Sequence, residues 1–243
     1  MKQNKELSER IEYKYYIPLS IRQHLLHDLK KFTKNDFYSN NKDEGYRVAS
    51  IYYENHTLKS YHDKLEGQAK RVKLRLRFYP PIMEGHFGNI EFKYKVFDKI
   101  LKRKTKISYN ELKLICTNND FFYEDVLQSS EPLHILKVRH LHDFQAFIRI
   151  DYSRRAFFAT IDKNIRMTLD CDIKCCRFNG NLNQTPHVQV LSRDIAILEI
   201  KTPGYFPFWL SYIIKKYSLK RTAISKYSLS VQNLSVNSSL NIN

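Results

Sequence analysis

Glycine and proline are scarce, with 6 Gly and 7 Pro in 243 residues, so few points allow the chain to turn sharply. Cysteine occurs four times and builds no framework. Cys116 stands alone, and Cys171, Cys175 and Cys176 give a C-x3-C-C spacing that suits neither a zinc pair nor a disulfide scaffold. Reduced thiols in a reducing compartment are the expectation. Long apolar runs are missing as well. The greasiest stretch, Phe206 to Ile214, is interrupted by Ser211 and falls far short of the ~20 apolar residues of a membrane helix. Met1 to Arg10 has no apolar segment of the kind a secretory signal needs. No membrane span and a cytoplasmic location are therefore expected. Acid is in short supply too: 25 Asp+Glu face 41 Lys+Arg, a formal charge of +16. Such an excess implies an anionic partner, whether nucleic acid, an anionic membrane surface or a small polyanion.

What the chain does hold is aromatic and strand-forming. It has 17 Tyr, 15 Phe and 42% hydrophobic residues, enough for a core, and aromatics favour half-buried pleated surfaces. Strands are predicted over Ile11–Pro18, Arg47–Glu54, Lys59–Lys64, Lys70–Tyr79, Asn89–Phe97, Lys102–Tyr109, Lys137–His142, Ala146–Arg155, Asn164–Ile173 and Asp194–Lys201. Helices are predicted over Leu19–Phe32 with Ser20 as N-cap, roughly Asn110–Leu127, Phe206–Tyr217 begun by Pro207, and Ala223–Val231. Loops are expected at Asn40–Gly45 and Asn179–Pro186. No repeat, linker or composition break appears. The reading is one α+β domain over residues 8–231, built on an antiparallel sheet, followed by a polar, disordered tail at 232–243.

The strand around Arg71–Arg77 is unusual. Alternation puts Arg71, Lys73, Arg75 and Arg77 on one face and Val72, Leu74 and Leu76 on the other. Four cations two residues apart repel one another and need a reason to be there. Other strands repeat the division: Glu12 and Lys14; Glu91, Lys93 and Lys95; Arg166, Thr168 and Asp170; and Glu199 and Lys201 each oppose an apolar face. Either the charged faces meet water, or the sheet closes into a barrel of about eight strands with charge inside and helices packed outside. The second arrangement requires a polyanion, because unpaired buried charge is costly.

At this point the motifs resemble those of the VTC (vacuolar transporter chaperone) polyphosphate polymerase domains, within the triphosphate tunnel metalloenzyme superfamily. Seven segments come in the family's order: Arg10-x-Glu12-x-Lys14-Tyr15; Ser50-Ile51-Tyr52-Tyr53-Glu54; Tyr61-x-x-Lys64-x-x-Gly67 running on into Arg71-x-Lys73-x-Arg75-x-Arg77-x-Tyr79; Glu91-x-Lys93; Tyr152-x-Arg154-x-Ala156 with Arg166-x-Thr168-x-Asp170; Leu198-Glu199-x-Lys201; and Ser225-Lys226-Tyr227. The resemblance implies a closed antiparallel β tunnel with helices outside, whose basic interior grips ATP and a growing polyphosphate chain. It implies phosphate contacts from Lys14, Lys64, Arg75, Arg77, Lys93, Arg154, Arg166 and Lys226, and a Mn²⁺ or Mg²⁺ ion on Glu199. Lys73 and Lys201 join these because they share their faces. Arg149 and Asp151 have opposite parity to Arg154, so an inward Arg154 requires a bulge or strand end between them. Two positions depart from the pattern. Glu54 stands where the family usually has Asp, and Arg10 replaces the first acid of the superfamily's Glu-x-Glu-x-Lys strand, which argues against a two-metal hydrolytic site.

Chemistry points the same way. A terminal phosphate is largely ionised near neutral pH and attacks without a general base, whereas water profits from a base or metal. The charged faces offer few carboxylates, namely Glu12, Glu91, Asp170 and Glu199. A metal-dependent ATP:polyphosphate phosphotransferase is therefore expected, as a stand-alone enzyme. Tripolyphosphate or nucleoside triphosphate hydrolysis and a non-catalytic polyphosphate- or nucleic-acid-binding module are the alternatives. Nucleic acid is disfavoured because Phe92 and Tyr94 lie opposite Lys93 and Lys95 and cannot stack bases beside the cations. His134, His140 and His142, the last two on one strand face, lack metal-ligand partners and read as ordinary residues.

Overall fold

The computed structural model describes residues 11–39, 45–97, 99–117 and 139–240. In chain order the elements are β1 (Ile11–Pro18), α1 (Leu19–Lys30), β2 (Thr33–Asn35), β3 (Tyr46–Glu54), α2 (Lys59–Leu65), β4 (Lys70–Phe78), β5 (Phe87–Val96), β6 (Lys99–Ser108), α3 (Tyr109–Thr117), β7 (Gln145–Ala159), β8 (Arg166–Arg177), β9 (Val188–Gln189), β10 (Ile195–Thr202), α4 (Phe208–Lys216) and α5 (Lys226–Leu240). The hydrogen-bonded order is β1-β10-β8-β7-β3-β4-β5-β6, with β2 added to β7 and β9 to β8. The expected α+β class with an antiparallel sheet is found. Barrel closure is not: the path ends at β1 and at β6, and no ladder joins those strands among the described residues. Residues 99–104 of β6 are exposed and rich in lysine, a composition that keeps an edge strand from accepting another ladder.

Contacts divide the backbone into two compact units, and β7 and β8 each contribute to both. The first takes in β1, α1, β2, residues 153–159 of β7, residues 166–172 of β8, β10 and α4. Its core forms because the apolar face of the strands (Tyr15, Ile17, Met167, Leu169, Leu198 and Ile200) packs against Leu25 and Leu29 of α1 and Leu210 and Ile213 of α4. Phe32 stacks on Trp209 at 4.9 Å, and Asp28 accepts from Lys216 Nζ at 2.6 Å and Tyr217 Oη at 2.9 Å, tying the two helices together. Ser20 does not cap α1. The N-cap position falls to Pro18, and the Leu19 amide donates to the Asp194 carbonyl at 2.6 Å, satisfying one first-turn donor.

The second unit holds β3 to β6, residues 145–152 of β7, the end of β8, β9, α2, α3 and α5. Ile51, Tyr53, Leu74, Leu76, Phe78, Ile90 and Phe92 pack on Leu112 and Ile115 of α3. Arg149 and Asp151 are buried here as a bidentate pair, with both contacts at 2.8 Å; Arg149 Nη1 also donates to the Leu182 carbonyl at 2.6 Å and lies over the Phe78 ring. Since Phe78 and Leu182 belong to the hydrophobic cluster, this pair sits on the apolar side of β7. The bulge expected between Asp151 and Arg154 is therefore not required.

Three local expectations change. Lys59–Lys64 is helical, because Asn55 Oδ1 accepts from the Lys59 amide at 2.9 Å and Glu54 accepts from the Ser60 and Tyr61 amides at 3.0 and 3.1 Å, capping a first turn. Residues 139–141 are helical too, so His140 and His142 do not share a strand face; Lys137 and Val138, His134 and the 118–127 part of the predicted helix lie outside the described residues. The last helix runs through 232–240 where a disordered tail was expected, anchored as Asn233 Nδ2 donates to the Leu229 carbonyl at 2.8 Å and the Val190 carbonyl at 3.3 Å.

The buried Arg149–Asp151 pair yields a stability prediction. Asp151→Ala leaves a guanidinium without its counter-ion and should cost about 3–5 kcal/mol, read by urea unfolding, while Arg149→Met/Asp151→Leu should retain most of the stability. A double variant as unstable as the single would disprove the assignment.

Candidate functional site

In the second unit, β3, β4 and β5 share one polar face. The ladders set Ser50 opposite Arg77, Tyr52 opposite Arg75, Lys73 opposite Lys93 and Arg75 opposite Glu91. Arg75 is the hub. Its Nε and Nη2 donate to Glu91 Oε2 at 2.8 and 2.5 Å, and its Nη1 donates to Tyr52 Oη at 3.1 Å. Arg77 Nη1 lies 3.5 Å from Glu91 Oε1, and its Nε reaches Ser50 Oγ at 3.5 Å, at the loose end of hydrogen bonding. One carboxylate thus serves two guanidinium groups.

The face is completed by other elements. Tyr227, at the start of α5, stacks on Tyr52 with ring centroids 5.2 Å apart and donates from its hydroxyl to Glu54 Oε2 at 2.5 Å. Lys73 Nζ stands 5.5 Å from the Tyr227 ring, and Lys226 Nζ 5.1 Å from the ring of buried Tyr152. Lys64 lies half-buried on α2, four residues after Ser60 and therefore on the same helix flank. The cations dominate the local field. Burial favours the neutral Tyr52 phenol, but Arg75, Arg77 and Lys73 overcome it and pull its pKa down to about 8. Burial likewise opposes ionisation of Glu91, and Arg75 and Arg77 hold its carboxyl below the usual range. The Tyr227 phenol goes the other way, raised by burial and by Glu54.

The first unit carries a second charged face, arranged as alternating signs. β1 pairs with β10 so that Lys14 faces Glu199 and Glu12 faces Lys201. Lys14 Nζ is 2.8 Å from Glu12 and 3.8 Å from Glu199; Lys201 Nζ is 2.7 Å from Glu199 and 3.7 Å from Glu12. Burial and Glu199 both disfavour the Glu12 carboxylate, and Lys14 and Lys201 outweigh them, so its pKa falls. On the next strand Thr168 faces Glu199 and Arg166 faces Lys201. Thr168 Oγ1 is buried without a hydrogen-bond partner among the described residues. Asp170 is fully buried and holds Arg154 through Nε and Nη2 at 2.6 and 2.7 Å, and Arg166 reaches Asp36 at 3.6 Å. Gly45 permits this packing: its φ is +78°, and a Cβ there would fall 2.2 Å from the Arg154 carbonyl oxygen.

The structure thus gathers Lys73, Arg75, Arg77, Lys93 and Lys226, with Lys64 nearby, in one unit, and Lys14, Arg154, Arg166, Glu199 and Lys201 in the other. Sequence reasoning missed Tyr52, Tyr152 and Tyr227 as companions of the cations. Tyr52 and Tyr152 have the parity of Glu54 and Arg154, which could have found them; Tyr227 enters from a helix and carries no such signal. The aromatics are therefore not all opposite the cations, although Tyr152 and Tyr227 are each only 3% exposed and offer no open stacking surface. Among the described residues no three His, Cys, Asp or Glu side chains come together as a metal site. Glu199, Glu12 and the unpartnered Thr168 hydroxyl are hard oxygen donors of the kind Mg²⁺ and Mn²⁺ take, so the residues present fit a divalent ion completed by other oxygens.

Among known proteins, the chain is 24% identical over 206 residues to vacuolar transporter chaperone complex subunit 4 of Trypanosoma brucei brucei, a match covering 70% of this chain and 26% of that protein. The chain thus matches about a quarter of that relative's length. Among solved structures, a candidate adenylate cyclase from Vibrio parahaemolyticus superposes with a TM-score of 0.50 at 12% identity, over 90% of this chain and 96% of the other, which is a likeness of fold. No helix among the described residues is long and apolar enough to cross a membrane. The VTC domain family matches residues 9–235, nearly the whole chain, and the protein belongs to that family.

Proposed function

We propose that the protein is a metal-dependent polyphosphate polymerase that transfers the γ-phosphoryl group of ATP to the end of an inorganic polyphosphate chain. The observation that carries this reading is the shared face of β4 and β5, where Lys73, Arg75, Arg77 and Lys93 stand together and Glu91 alone supplies a carboxylate in their ladder rows. A surplus of fixed cations is what a polyanion offsets. Arg75 and Arg77 supply planar forks for phosphate oxygens, and Lys73, Lys93, Lys64 and Lys226 supply point charges. In the other unit Lys14, Lys201, Arg154 and Arg166 take the same role.

In the transfer, a terminal oxygen of the acceptor chain forms a bond to the γ-phosphorus while the bond from that phosphorus to the β–γ bridging oxygen breaks. ADP leaves with the electron pair. No proton need be removed from the acceptor. The protein's contribution is alignment and charge: on the β4–β5 face, guanidinium groups already held by Glu91 meet the developing negative charge without reorganising. Glu199, Glu12 and Thr168 would hold Mn²⁺ or Mg²⁺, which when bound neutralises phosphate charge.

One observation favours a second reading. Glu12 and Glu199 come together around Lys14 and Lys201, and a carboxylate pair suits activation of water, so tripolyphosphate or nucleoside triphosphate hydrolysis on the same framework is the alternative. Incubation with ATP and Mn²⁺, followed by polyacrylamide electrophoresis stained for polyphosphate and a free-phosphate assay, separates the two. A polymer ladder is expected; free phosphate without a ladder would select hydrolysis.

Arg75→Ala/Arg77→Ala should reduce turnover by at least about 100-fold, as loss of several charge-assisted contacts implies, and should abolish the thermal stabilisation that millimolar tripolyphosphate gives the unaltered protein. Normal turnover would remove both residues from the site.

Tyr52 gives a pH signature. Its neutral phenol tolerates phosphate, and the phenolate formed above about 8 repels it. Tripolyphosphate affinity should therefore fall as pH rises through that value, and Tyr52→Phe should flatten the fall. An unchanged profile in Tyr52→Phe would exclude the phenol.

A further inference from the structure

The basic face does not stop at β5. β6 pairs with β5 so that Lys102 faces Lys93, Lys104 faces Glu91 and Lys106 faces Asn89, and β5 in turn sets those residues opposite Lys73, Arg75 and Arg77. Directly opposed residues project to the same side of a ladder. Lys102, Lys104 and Lys106 therefore continue the three rows of the β4 cations out to the sheet edge. Lys104 is near enough to Glu91 to help lower its carboxyl. Lys106 Nζ stands 3.8 Å from the centroid of the Phe87 ring, which shares its face and is half exposed.

Exposure grades along these rows. The Arg77 and Arg75 side chains are 15% and 29% exposed, whereas all three β6 lysines are open to solvent. Protection of an edge strand explains lysines somewhere on β6, and the opposite side of the strand has Lys99 and Arg103 for that purpose. It does not explain three lysines at successive same-face positions. Lys102 stands directly across from Lys93, so two like charges meet in one row of the ladder. With strands ~4.8 Å apart, the β6 row lies roughly 10 Å beyond the β4 row, a distance that suits an extended anion better than a short one seated at Arg75.

We propose that Lys102, Lys104 and Lys106 form an outer track that binds the trailing part of a long inorganic polyphosphate chain, beyond the phosphates held on β4 and β5. The track rests on the reading of the β4–β5 face as a phosphate site. It makes long chains bind more tightly than short ones without touching the reacting group.

The test compares Lys102→Ala/Lys104→Ala with Lys99→Ala/Arg103→Ala, which removes the same charge from the other side of β6. Affinities for long-chain polyphosphate and for tripolyphosphate are measured at several salt concentrations, with a single-stranded oligonucleotide as a third probe. The first variant should bind long-chain polyphosphate about tenfold more weakly, with a shallower salt dependence, and tripolyphosphate as the unaltered protein does. Adding Lys106→Ala should deepen the loss, and Lys102→Arg/Lys104→Arg should restore binding in a folded protein of unchanged charge. Unchanged affinity for the long chain, an equal loss in the Lys99/Arg103 variant, or a parallel loss for tripolyphosphate would overturn the track. An oligonucleotide that binds the unaltered protein as tightly as polyphosphate and shows the same loss would reassign the surface to nucleic acid. If the unaltered protein binds neither polyphosphate nor tripolyphosphate, the β4–β5 phosphate reading itself fails.

Discussion

Lys73, Arg75 and Arg77 occupy alternate positions of β4, so their side chains leave one face at roughly 7 Å intervals. At an effective dielectric of about 20, neighbouring charges at that spacing repel by about 2 kcal/mol. The strand cannot relieve this by turning, because its other face (Leu74, Leu76 and Phe78) is fully buried. A one-residue slip would expose that core and bury the cations. The apolar face thus fixes the register, and the register imposes the repulsion. Everything polar around β4 can be understood as a response to it.

The two units answer differently. On β1 and β10 the signs alternate across the ladder, and Glu12, Lys14, Glu199 and Lys201 neutralise one another within 2.7–3.8 Å. Such a patch holds itself together without ligand, and its paired carboxylates suit a cation. On β4 and β5 one carboxylate, Glu91, is shared between Arg75 and Arg77, and it lies between rows that bring Lys73 against Lys93. Within those ladder rows cations outnumber carboxylates. The natural complement of that face is an anion, and the longer the anion, the more rows it can satisfy at once.

Much of this was legible from alternation alone. Strand sequences with charge at every second position named the faces of β1, β4, β5, β8 and β10, because a buried apolar face leaves no freedom in where the charges go. Alternation failed where one side of a strand is not uniformly apolar. On β7 the buried Arg149–Asp151 pair occupies the apolar side under Phe78 and Leu182, so charge there did not mark the polar face that carries Arg154. It failed again at Lys59–Lys64, where capping by Asn55 and Glu54, residues outside the segment, turns a strand-like pattern into a helix. Elements of two or three residues, β2 and β9, are too short for any period to show. Barrel closure is a property of pairings between distant strands, and periodicity within a strand carries no information about them.

Glu54 shows how a position outside every row of cations can still govern them. Its carboxylate accepts from the amides of Asn55, Ser60 and Tyr61 and from the Tyr227 hydroxyl, so a single side chain joins the end of β3, the first turn of α2 and the start of α5. With four donors converging on it, it stays buried at 2% exposure with no ion pair among the described residues. Through Tyr227 it sets the ring that stacks on Tyr52 and flanks Lys73, and through α5 it places Lys226, the next residue along the chain. Through α2 it sets the helix that bears Lys64. The cations that arrive from outside the sheet are therefore positioned by a network whose centre is the Glu54 carboxylate, which sets the helices that bear them without any ligand present.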